Sequence, residues 1–183
     1  MARLPSALVL ALSLTSLVHA SFRAGIDTRV VTPDPLLPVS GGIGASRPTT
    51  IKQGDLTVRA LVLDQDGTRV AFVSVDFLGF PKVLGDRVRA LVPSMPGTNI
   101  LIGATHTHSG PDCYGFPDGK GGMACDLPYL DRVVKDTAAA ILGAIEHLQP
   151  AGVRIASGDA KGRIAYNYYA PDLYDPRCSV IQC

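Results

Sequence analysis

Two histidines one residue apart, His106 and His108, stand at the end of the apolar run Asn99-Ile100-Leu101-Ile102-Gly103-Ala104. In extended backbone alternate side chains point the same way, so both imidazoles can face one cleft. Neutral imidazole is the commonest nitrogen ligand for zinc, and it carries protons near neutral pH. The carboxyl ends of strands are where α/β proteins place ligands, and Gly110-Pro111 turns the chain just beyond the pair. A lone His-x-His is a weak metal signal, because histidines in polar loops are often only solvated. Spacing alone leaves metal binding, catalysis and plain solvation open. His147 differs: it falls in the last turn of an expected helix, where the dipole favours a cation, and reads as structural. Asp76, inside another apolar run, is either hydrogen-bonded structure or part of a polar site near a strand end.

The elements that must position these residues follow from periodicity. Residues 22–31 and 56–63 read as strands, the second alternating with Leu56, Val58, Ala60 and Val62 on one face. Asp64-Gln65-Asp66-Gly67 makes a turn with Gly67 at positive φ. Residues 70–78 are nearly continuous in apolar side chains, as in a strand covered on both faces. Helical spacing follows over 82–92, stopped by Pro93, and then a strand over 99–104. A glycine-rich loop spans 105–122. The clearest element is a helix over 127–148, with Asp126 as N-cap, Pro128 in the first turn and Pro150 beyond the end. Strands over 153–157 and 179–183 complete the series, the last reading as one that enters a core. The pattern predicts an α/β fold, a mixed β-sheet core with flanking helices. Ser40-Gly41-Gly42-Ile43-Gly44 lacks the Lys-Ser/Thr ending of a phosphate-binding loop and reads as a flexible or substrate-lining loop.

Composition bounds the function. Of 183 residues, 46% are hydrophobic and 18% charged, which fits a globular chain. A net charge of +1 without a long Lys/Arg run argues against nucleic acid as a partner. Residues 1–20 carry Arg3, an apolar stretch from Leu8 to Val18 and Val18-His19-Ala20, the pattern of a signal peptide cut after Ala20. The apolar stretch is too short for a transmembrane span. The mature chain is therefore expected over 21–183, secreted or periplasmic. In an oxidising compartment Cys113, Cys125, Cys178 and Cys183 allow three full pairings, of which Cys113–Cys125 is preferred because it would staple the glycine-rich loop.

The string Ala104-Thr105-His106-Thr107-His108-Ser109-Gly110-Pro111 resembles the signature of the neutral/alkaline non-lysosomal ceramidases. So do Gly25-Ile26-Asp27, Arg59-Ala60-Leu61-Val62-Leu63, Val73-Ser74-Val75-Asp76-Phe77-Leu78-Gly79 and Pro150-Ala151, all in the family's order. The resemblance implies hydrolysis of the amide of N-acylsphingosines by one zinc ion held by two histidines, a glutamate and a tyrosine. It makes His106 the first zinc ligand. It makes His108 the catalytic histidine that contacts the substrate's carbonyl oxygen or handles a proton. The implied substrate is a ceramide-like lipid amide, with peripheral membrane contact. The remaining ligands would lie beyond Cys183, so the chain resembles the N-terminal part of a larger catalytic domain and is expected to be inactive alone. In one place it departs from the family. Where an Asn-Arg pair is usual, this chain has Asn167-Tyr168, so the native substrate does not follow from the resemblance.

Two other readings compete. Amidohydrolase-type metal hydrolases also present His-x-His at a strand end, normally on the first strand of a barrel, whereas here at least two expected strands precede it. A secreted α/β binding domain with incidental histidines is the non-enzymatic alternative.

Overall fold

The structure, a computed structural model, describes residues 22–42, 44–160 and 167–183. The expected leader, residues 1–20, lies outside them. Strands β1 (Phe22–Val30), β2 (Thr57–Gln65) and β3 (Thr68–Val75) form an antiparallel meander. The β2–β3 turn places Asp66 and Gly67 at φ 52° and 84°, the two positive values that a tight hairpin turn matching strand twist requires. Helix α1 (Lys82–Ala90) then carries the chain to β4 (Ile100–Ala104), which lies parallel to β3 in the register Val73↔Ile102. Helix α2 (Leu127–Glu146) returns across the sheet to β5 (Gln149–Pro150), a two-residue strand on the far side of β1. The sheet order is β4-β3-β2-β1-β5, so the expected mixed sheet with flanking helices is present.

Both helices cover one face. Val58, Ala60 and Val62 from β2, and Ala71, Val73 and Val75 from β3, join Leu84 and Val88 of α1 and Leu130, Val133, Val134 and Ile141 of α2 in a single buried cluster. The α2 stripe follows the helical period, and Asp126 caps it by accepting a hydrogen bond from the Tyr129 amide at 2.8 Å. Approach to β1 is close. A Cβ on Gly25 would stand 2.0 Å from the Ala144 carbonyl oxygen of α2.

Two expectations about the strands change. The run 70–78 is not covered on both faces: Phe72 and Ser74 lie half-exposed on the face away from the helices. The strand also stops at Val75, where the chain bends so that Phe77 enters the core against Tyr129. The last strand, β7 (Arg177–Gln182), does not enter a core. It pairs with β6 (Arg154–Asp159) in a separate two-stranded ribbon, exposed along its length.

Candidate functional site

The site begins where β4 ends. The Thr105 amide donates to the Val75 carbonyl at 3.0 Å, carrying the pairing with β3 one residue past the strand. His106 then adopts left-handed backbone, φ 63°, a conformation that costs a non-glycine residue on the order of 1–3 kcal/mol and persists only where its surroundings impose it. The imposing contact is a hydrogen bond of 2.6 Å between His106 Nδ1 and the Leu78 carbonyl oxygen. A carbonyl only accepts, so Nδ1 carries a proton, and in the neutral ring the lone pair is on Nε2. The His108 ring meets the His106 ring edge-on, with centroids 5.1 Å apart and planes at 77°. The two imidazoles do converge. They do so through a left-handed turn and not through extended alternation.

Three neighbouring segments hold this corner. Asp76, at the end of β3, accepts from the Thr57 amide at 2.9 Å and the Thr57 hydroxyl at 2.7 Å, and Arg59 approaches to 3.8 Å. Burial opposes its ionisation, but these bonds, with one from the Thr105 side chain, outweigh burial and hold the carboxyl below its ordinary range. Of the two roles the sequence left open for Asp76, the structure shows the hydrogen-bonded one. Next in the chain, Leu78 holds His106 and the Gly79 carbonyl accepts from the Cys113 thiol at 3.0 Å. Gly79 also lies under Tyr114, whose hydroxyl would be 1.7 Å from a Cβ there. The third segment is the glycine loop. Val39 bridges Pro111, the Ser40 amide donates to the Gly110 carbonyl at 2.9 Å, and Gly41 rests on the His108 ring.

All four cysteines are thiols, so the expected Cys113–Cys125 bridge is not formed. Cys113 is buried and bonded to Gly79, and burial pushes its thiol up to about 11. The loop beyond it is fastened by Asp112, buried, whose carboxylate accepts from the amides of Tyr114, Gly115 and Phe116. Sequence reasoning passed over Asp112, although an Asp ahead of a Gly-containing turn is an Asx-turn signal. His147 donates from Nδ1 to the Ile26 carbonyl at 3.2 Å, in the structural role expected of it. Tyr168 packs edge-on against Tyr169 at 5.3 Å, in a turn closed by Asn167.

A groove of about 410 Å³ reaches Ser109, the residue after His108, and its mixed walls include Leu37, Val39 and Ile51 but also Lys52, Gln53 and Asp55. Chemically the corner offers one imidazole fixed at Nδ1, a second imidazole beside it, and a groove of mixed polarity that begins at Ser109. Among the described residues no group of three or more His, Cys, Asp or Glu side chains is arranged to hold a metal ion. The histidines follow the edge strand of an open sheet, which does not match the barrel alternative.

No protein-family model matches the chain, and a comparison with curated proteins finds no match. Solved structures do match. The described architecture is similar to part of the neutral ceramidase fold. A crystal structure of neutral ceramidase from Pseudomonas aeruginosa aligns with a TM-score of 0.69 at 21% identity, over 89% of this chain and 29% of that one. A ceramidase complexed with C2 aligns with the same TM-score and coverage at 23% identity. This chain thus spans under a third of the length of these structures, and the likeness establishes its fold.

Proposed function

We propose that this chain is part of an exported, zinc-dependent amide hydrolase that cleaves ceramide-like N-acyl lipids into a fatty acid and an amine. The observation that carries the reading is His106. Its ring is hydrogen-bonded to the Leu78 carbonyl, a contact of the kind that orients metal-bound histidines, at the end of a strand in a ceramidase-like fold. His106 would hold zinc through Nε2. Among the described residues no group of three or more His, Cys, Asp or Glu side chains could hold a metal ion, and a catalytic zinc takes about three protein ligands, so the set is completed from outside them. Bound zinc supplies Lewis acidity, polarising a carbonyl and making water a nucleophile near neutral pH. His108 donates to the amide's carbonyl oxygen or passes a proton to the leaving amine. Exposed Tyr114, Phe116 and Met123 support contact with a lipid surface. Among the described residues no helix is long and apolar enough to cross a membrane. Tyr168, at the position of the family's arginine, leaves the head group open.

The test is made on the full gene product recovered from the exported fraction. It is expected to start at Ser21, to carry near-stoichiometric zinc, and to lose that zinc in His106→Ala. His108→Ala is expected to keep zinc while N-acylsphingosine hydrolysis falls roughly 10²–10⁴-fold. Zinc content indifferent to His106→Ala sinks the metal assignment. Lipid binding with neither metal nor cleavage would instead favour the non-enzymatic binding domain.

A further inference from the structure

We propose that Gly41 is the positioning residue for His108: the absence of a side chain there lets the imidazole occupy its place beside His106. A Cβ built on Gly41 would lie 2.6 Å from His108 Cγ and 2.9 Å from both its Cβ and Nδ1. Those atoms are the root of the ring, so no rotation about a terminal bond relieves the overlap. One side chain must leave its position, or one backbone must move. The glycine loop cannot easily retreat. The Ser40 amide is bonded to the Gly110 carbonyl, Val39 is bridged to both Pro111 and Arg47, and Ser40 is itself buried. The backbone on either side of the contact is thus tied together: residues 39–40 on one side, and 110–111, just past His108, on the other. With both anchored, the added methyl displaces the ring. The His106 ring meets His108 edge-on, with centroids 5.1 Å apart, so moving the His108 ring disturbs the arrangement in which the two imidazoles meet. Gly41 also sits at φ +118°, a backbone conformation that favours glycine for a separate reason.

That separate reason must be removed from the test, and the loop supplies the control. Gly44 has φ +97° with open space around its would-be Cβ, so Gly44→Ala carries the backbone cost without touching a ring. The bearing of Gly41 on catalysis rests on the hydrolase reading above; its hold on His108 does not. The first measurement is the ¹H–¹³C ring correlation of His108, assigned by its loss in His108→Ala. Gly41→Ala is expected to shift it, and Gly44→Ala to leave it in place. Equal shifts in both variants, or no shift in Gly41→Ala, overturn the proposal. Should Gly41→Ala fail to fold, it is introduced into His108→Ala. There its melting temperature is expected to fall no further than Gly44→Ala does in the same background, and a larger drop overturns the proposal. The second measurement is N-acylsphingosine hydrolysis, in which Gly41→Ala is expected to lower kcat at least tenfold with KM within about threefold, while Gly67→Ala, at φ +84° with open space in the β2–β3 turn, stays within twofold. Equal loss in both variants counts against the positioning role. Absence of hydrolysis in the unmodified protein removes the hydrolase reading and leaves the ring measurement to decide the geometry.

Discussion

Asp64 faces the helix-covered side of β2 with its carboxylate 1% exposed, yet it is fully partnered. Arg69 Nε donates at 2.9 Å, Arg23 Nη2 at 3.0 Å and the Gly67 amide at 3.1 Å. The Arg69 bond leads the interactions that hold this carboxyl below its ordinary range despite burial. A carboxyl whose pKa is depressed on folding adds stability above its unfolded value, near 4. It loses that stability as pH falls from there through the folded value. Asp64→Asn should therefore cost about 1–3 kcal/mol at neutral pH, since two guanidinium groups lose their partner. It should also flatten the acid side of the stability curve, followed by urea unfolding between pH 7 and pH 3. An unchanged acid limb would mean that other carboxylates set it. Geometry at the residue scale was partly legible in the sequence. That the His106 and His108 rings lie close together was readable from their spacing. The Leu78 carbonyl that fixes the His106 tautomer was not, because a backbone acceptor 28 positions away leaves no mark on composition.

At the scale of elements, α2 was the most legible, since its apolar stripe, its Asp126 cap and its Pro128 all follow local rules. Its place over β1 was hidden in two glycines. Gly25 would put a Cβ 2.0 Å from the Ala144 carbonyl oxygen, and Gly143 would put one 2.0 Å from the Asp27 carboxylate. Each looks like an ordinary glycine in the sequence, and only the packing shows why a side chain is excluded. Gly25→Ala is expected to lower stability by about 1–3 kcal/mol by forcing helix and strand apart. Gly54→Ala, with nothing within 4 Å, should change it little. Chemical denaturation of the two variants side by side checks this, and equal midpoints would refute the close packing. The strand over 70–78 misled for a physical reason. A continuous apolar run reads as burial on both faces, but Phe72 lies on the face the helices do not reach.

At the largest scale, the five-stranded sheet is sealed on one side among the described residues. The other side carries Ile26, Leu61, Phe72 and Leu101 around a groove of about 630 Å³, with Ile26 68% and Leu101 62% exposed. An apolar surface of this kind binds hydrophobic dyes. Protein comprising residues 21–183 should bind ANS while keeping a cooperative unfolding transition, and Ile26→Ser with Leu101→Ser should lower that fluorescence severalfold. Unchanged fluorescence in the double variant would move the dye site elsewhere. The way the sealed side is closed also bears on how the protein is made. The Tyr129 hydroxyl of α2 donates to the Val31 carbonyl 98 positions earlier, and His147 reaches Ile26 across 121. At roughly 5–20 residues per second, the first strand leaves the ribosome seconds before the helix that covers it exists. The β1–β2–β3 meander can pair early, but it has no apolar cover until Glu146 has been made. Until then the apolar face of the meander stands open to water, and a chaperone that binds exposed apolar strands has its substrate there.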